Sequence, residues 1–237
     1  MKTLMILFLS LVLMVACSDS TDDCEDGSGN YVEFARVLDD FTSVSLAGAG
    51  NIFIYKGEHD TVKVVTDDNM VDNIILSVAG GKLSVRPKDD KCPTKMDVYV
   101  TVSEISDMDI SGAGDIVLLE EFETDNCSFE IEGAGDITLP GIIANDISFM
   151  ISGSGKITAS GSAKNCQATL AGSGTIDLEN LVCENINATL AGSGNIRVNS
   201  TISMTASIAG SGNIYYKYTG NGNPVLTISG SGSVIPL

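Results

Sequence analysis

A chain of 237 residues, 43% of them hydrophobic, is long enough for one domain with a sizeable core. Aromatic residues make up only 5% and Trp is absent, so that core must be aliphatic. A formal net charge of −18 repels phosphate backbones, which excludes nucleic acid as a partner, and it also sets the surface against bare anionic lipid.

The N-terminus reads as an address. Lys2 precedes an apolar run over residues 4–16 that is interrupted only by Ser10. This is too short to span a bilayer as a mature helix but suits the core of a signal peptide. The run closes on Leu13-Met14-Val15-Ala16-Cys17, which resembles a bacterial lipobox with Met14 in place of the usual Leu. Residues 1–16 are therefore expected to be removed. Cys17 is then the lipidated N-terminus, holding the protein to a membrane without a transmembrane helix. Residues 17–30 are polar and acidic, and are expected to form a disordered tether. Ser18 after the Cys resembles lipoproteins sorted to the outer membrane, and the acidic tether resembles surface-export signals of some lipoproteins. The expected location is the outer membrane, with exposure at the cell surface as an extension of it.

Residues 31–105 are less regular and read as the capping start of a repeat array occupying 31–237. Strand patterns fall at 62–65, 74–78, 83–85 and 98–102, and Ala79-Gly80-Gly81-Lys82 has the composition of a hairpin turn. Residues 67–73 suit one helical turn, and 87–95 an exposed charged loop. The only His, His59, lies in the turn Lys56-Gly57-Glu58-His59-Asp60.

Over residues 106–237 one motif dominates: Gly, a small residue, Gly, a mostly polar residue, then Ile or Val. Its first copy is Gly48-Ala49-Gly50-Asn51-Ile52, and from Gly112 onward the copies start at spacings of 21, 20, 19, 20, 18 and 20 residues. A fixed period of this size marks stacked units. Two residues before the motif stand Leu46, Ile110, Ile131, Ile151, Leu170, Leu190, Ile208 and Ile228. Apolar residues at even offsets and polar or small ones at odd offsets (Gln167, Thr169, Ala171) give period two, which is strand. The fold class is therefore all-β: a parallel β-helix, or single-stranded β-solenoid, with coils of about twenty residues and an irregular N-terminal strand and cap region. Both motif glycines fall on the inward phase, where they permit either a sharp bend or a close approach of walls. One outward file should run Asn51, Asp115, Asp136, Lys156, Thr175, Asn195, Asn213, Ser233. Its short hydroxyl, amide and carboxyl groups suit hydrogen bonding up a ladder. The file, Lys156 apart, is also the candidate binding surface.

The eightfold motif with its N-terminal strand region resembles the auto-transporter adhesin family with the head GIN domain, also known as a domain of unknown function, over residues 34–237. The resemblance implies a β-helix and an adhesive role, with no catalytic residues to carry over.

The chemistry that remains is sparse. A Ser/His/Asp triad would need His59, and no nucleophile-elbow motif is present. Asp115 and Asp136 should stack about 5 Å apart on neighbouring coils, near the separation of a retaining glycosidase pair. Their file then turns to Lys156 and Thr175, and Phe129 and Phe149 point inward, so no sugar-stacking aromatics frame a cleft. The same two aspartates are weak calcium candidates, and no other metal or cofactor is expected. Cys127 and Cys166 lie two coils apart in one file, too far to bridge each other, and read as small core residues. Cys24 with Cys92 is left open. The expected function is a non-catalytic, lipid-anchored envelope protein that presents a rigid solenoid for adhesion or surface binding. Its partners are the membrane, through the anchor, and an unidentified protein or glycan. The alternatives are a structural or protein-interaction module of the envelope, or a glycan-binding protein.

Overall fold

Alternation at period two turns each repeat into a ribbon with one apolar edge, and such a ribbon can bury that edge only against copies of itself. The computed structural model describes residues 24–58 and 61–237, in which the repeats do so. The export segment, Cys17 and His59 lie outside the described residues.

Each coil has three runs. The first leads into the glycine motif, as in Asp107–Ile110, and the second leaves it, as in Asp115–Leu118. The third is the return segment, in which Phe122 pairs with Ile142, Ile142 with Gly161 and Gly161 with Leu181. Register shifts mark the bend from second to third run, between Leu139 and Ile142 and between Thr158 and Ser160. Two successive outward residues mark the bend back to the first: Lys164 and Asn165 are exposed between buried Ala163 and Cys166. Successive coils pair in parallel, in register. The file two residues before the motif runs Leu46, Ile110, Ile131, Ile151, Leu170, Leu190, Ile208, and every member is fully buried. Phe129 stacks on Phe149 inside the tube, ring centroids 5.7 Å apart. Leu226 and Ile228 continue the inward files on the last coil, where they stand exposed.

The two readings of the motif glycines are now separable. From Gly112 onward none of them has a positive φ; among motif glycines only Gly48 and Gly50 in the first coil do. What each one meets is the coil below. A Cβ on Gly133 would overlap the carbonyl oxygen of Gly112, one on Gly153 that of Gly133, and one on Gly192 that of Gly172. The second glycine of each motif repeats the pattern, Gly135 over Gly114 and Gly212 over Gly194. The same carbonyls accept backbone N–H groups of the coil above: Ala134 donates to Gly112 at 2.9 Å and Ser193 to Gly172 at 3.0 Å. Glycine is therefore set by close approach between coils and not by a backbone bend.

The N-terminal region extends the two motif-flanking runs with antiparallel strands. Thr61–Asp67 pairs antiparallel with both Tyr31–Arg36 and Met96–Val102, and Met96–Val102 lies parallel to Asn51–Lys56 of the first coil. Ile74–Ala79 and Lys82–Pro87 form the hairpin expected at Ala79-Gly80-Gly81-Lys82, with Gly80 and Gly81 at φ 59° and 76°. Both central residues thus adopt the left-handed conformation that a tight two-residue hairpin requires. A 3₁₀ helix, Asp68–Asn73, supplies the expected helical turn.

Two expectations need correction. Residues 24–30, placed in a disordered tether, are tied down. Glu25–Asp26 pairs with Lys91–Cys92, and a Cys24–Cys92 disulfide locks them together (Cα–Cα 5.7 Å). The 87–95 loop is thus partly a strand. The buried carboxylate of Asp67 holds the segment from the other side, accepting from Gly29 N–H at 2.8 Å, Thr94 N–H at 2.8 Å and Thr94 Oγ1 at 2.6 Å. Burial alone would raise the Asp67 pKa, but the donated hydrogen bonds, led by Thr94, outweigh it and the net shift is downward. An acidic segment with no apolar period gave no sign of these partners, which lie more than thirty residues away along the chain.

The second correction is Cys166. It is buried as expected and not bridged to Cys127, but it forms a disulfide with Cys183, Cα–Cα 6.2 Å. Offsets from the motif place Cys183 on the third run, and only the bend brings it beside the first-run file of the coil below. Cys127 alone keeps a free thiol among the described residues. Its burial, then the nearby Asp107 carboxylate, push its pKa up to about 12, so it is a protonated, unreactive thiol at neutral pH.

Two outcomes follow from these contacts. Gly192→Ala should destabilise the protein by about 2–4 kcal/mol in chemical denaturation, while Ser193→Ala on the exposed side of the same corner should change it by less than about 0.5 kcal/mol. A maleimide added to the native protein should leave Cys127 unlabelled, and Cys127 should react once denaturant opens the coils with the disulfides intact.

Candidate binding surface

The second run of each coil sends its first residue outward, and parallel pairing stacks these residues in one file. Asn51 pairs with Asp115, Lys156 with both Asp136 and Thr175, Asn195 with both Thr175 and Asn213, and Asn213 with Ser233. The structure thus brings together every residue of the expected ladder. Several of its side chains are engaged within the tube. The Asp136 N–H donates to Asp115 Oδ1 at 2.9 Å, the Lys156 N–H to Asp136 Oδ1 at 2.9 Å, and the Ser233 N–H to Asn213 Oδ1 at 3.1 Å. Asn51 Nδ2 donates to Asp97 at 2.8 Å. Asp115 and Asp136 therefore each use an oxygen to cap the backbone amide of the next coil. Among the described residues no group of three or more His, Cys, Asp or Glu side chains is placed to hold a metal ion.

A second surface lies along the bend between third and first runs, where the wall turns inward. A groove of about 590 Å³ runs along it from Ser106 and Asp107 to Asn187. Its floor carries the Cys127, Ile147, Cys166 file, which is buried and apolar. One wall is the corner file Asn126, Asp146, Asn165, whose groups are engaged with each other or with neighbours. Asn165 Nδ2 donates to Asp146 at 2.8 Å, Asn185 Nδ2 to Asn165 at 3.1 Å, and Ser203 Oγ to Asn185 at 2.7 Å. Asn145 and Asp125 pair beside it.

The other wall is the file Ser128, Ser148, Gln167, Asn187, stacked by direct pairing. Among the described residues these four side chains make no hydrogen bond. Ser128 and Ser148 are half-buried, and Gln167 and Asn187 exposed. Below Ser128 in the file stands Asp107, which accepts from Ser43 Oγ at 3.0 Å. Two residues further along the run, Lys82 Nζ reaches Asp109 at 2.6 Å, and this hydrogen bond raises the Lys82 pKa.

Sequence reasoning found the first file and missed the second as a site. Ser128, Ser148, Gln167 and Asn187 all lie five residues before their motif, an odd offset that marked them as outward. Nothing in the alternation reveals that the wall bends there into a groove.

The solenoid has close structural counterparts. A Bacteroides fragilis protein named a "putative adhesin" superposes with a TM-score of 0.84 at 22% identity, over 90% of this chain and 100% of that one. A Parabacteroides distasonis protein named a "putative lipid binding protein" gives 0.74 at 24% identity, over 90% and 99%. A second P. distasonis protein, named as an adhesin, gives 0.70 at 21% identity, over 91% and 100%. At these identities the likeness establishes the β-solenoid fold. No curated protein matches the chain. The family model described as "putative auto-transporter adhesin, head GIN domain" matches residues 40–222, which takes in the first glycine motif, the cap apart from Tyr31–Arg36, and all coils but the last. The chain belongs to that family of adhesin-named β-solenoid proteins.

Proposed function

We propose that the chain is a non-catalytic, lipid-anchored protein of the outer membrane that presents a rigid β-solenoid at the cell surface for adhesion. One observation carries this reading. The tube's lateral backbone is paired coil to coil, so its sides offer side chains alone, in straight files of Ser, Thr, Asn and Asp along a common axis. Such a surface is stiff and repetitive, which suits contact with an extended or multivalent partner. The acids of the outward ladder are engaged with backbone amides, which suits a scaffold better than proton transfer. The adhesin name of the family, and of two of the solved relatives, agrees with it.

The anchor belongs to the same reading. With Cys17 lipidated, only residues 18–23 separate the acyl chains from Cys24, which the disulfide fixes to the cap. The cap then lies toward the membrane and the later coils point away from it.

Protease treatment of intact cells tests the placement, together with adhesion of cells carrying or lacking the chain. Surface adhesion predicts removal by protease without opening the envelope, and loss of binding to host cells or matrix when the chain is absent. Full protection until the envelope is opened, with unchanged adhesion, contradicts it. Cys17→Ser should move the chain from the membrane to the soluble fraction, and a chain that stays membrane-bound would rule out the anchor.

A further inference from the structure

The groove at the bend between third and first runs has a property that the ladder lacks. Ser128, Ser148, Gln167 and Asn187 stand in one straight file, with hydroxyl and amide groups that no side chain or backbone group among the described residues engages. The corner file across the groove is tied up in its own hydrogen bonds. Four coils place the free groups at intervals of about 4.8 Å over roughly 14 Å, above a floor that includes apolar Ile147. We infer that this groove is a binding site for a linear, neutral oligosaccharide lying along the solenoid axis. The inference rests on the adhesive reading above and names its ligand class.

Three features select that class. The backbone along the groove is already paired with the coils above and below, so an extended peptide has no strand edge to join and must rely on side chains alone. Hydroxyl and primary amide groups each donate and accept, which matches sugar hydroxyls repeated at a regular interval. Asp107 and Asp146 line the groove within a strongly acidic protein, so an anionic ligand is repelled while a neutral polyol finds further acceptors.

The test uses the labelled full-length chain on an array of neutral, uronate-containing and sulfated oligosaccharides. It is run beside Gln167→Ala/Asn187→Ala and a Glu123→Gln control on the third run, and thermal unfolding confirms that each variant folds. The expected result is binding to neutral linear oligosaccharides and weaker binding to their acidic counterparts. Affinity should fall about tenfold in the groove variant and stay unchanged in the control. Should the double variant unfold, Gln167→Glu replaces it and should weaken binding because a carboxylate accepts but cannot donate the hydrogen bonds of the amide. Binding that survives in a folded groove variant overturns the assignment, as does an array without a bound glycan. An unbound array from a chain that still adheres to cells removes the glycan site and leaves adhesion standing. Loss of both removes the adhesive reading as well.

Discussion

The structure depends on one contact. The carbonyl oxygen of each motif glycine occupies the place where the corresponding residue of the next coil would carry its Cβ. Two such glycines per coil, one on each side of the small residue, draw successive corners together until their backbones hydrogen-bond. In-register stacking at this corner carries through both flanking runs, because period-two alternation turns a one-residue slip into an apolar residue on the outside. The buried Leu and Ile files on either side of the motif follow from that registration.

Registration also decides which surface groups are free. The file that leaves the glycine corner has short acids and amides close to the amide of the next coil, and several cap it. The corner file at the opposite bend links Asn to Asp and Asn to Asn. Between that bend and the motif, the Ser128 to Asn187 file stands beside backbone that is already satisfied, so its side chains keep their hydrogen-bonding capacity. A solenoid built from near-identical repeats thereby acquires three chemically different outer surfaces.

Much of this was legible in the sequence because the determining interactions repeat. The period of the glycine motif fixed the coils, the even-offset apolar residues fixed the interior, and Gly80-Gly81 marked the hairpin. What escaped is what occurs once. The Asp67 carboxylate and the Cys24–Cys92 disulfide fasten residues 24–30 through contacts that no local pattern encodes. Cys166 and Cys183 sit at different offsets from their motifs, so only the bend brings them together. The groove was invisible for a similar reason: alternation says which way a side chain points, but not whether the wall it leaves is flat or concave. The choice between bend and close approach at the glycines needed the neighbouring coil itself.

The central claim is a uniform advance of one strand spacing per coil along a single file, and spin-label distances measure it directly. Asp109, Glu130, Met150, Thr169, Thr189, Ser207 and Thr227 succeed one another in direct pairing. One label is fixed at Thr227 and the other moved through Asp109, Glu130 and Met150. The stack predicts separations of about 29, 24 and 19 Å, falling by one strand spacing at each step. Separations that fail to shorten in equal steps would show that the coils do not stack in this register.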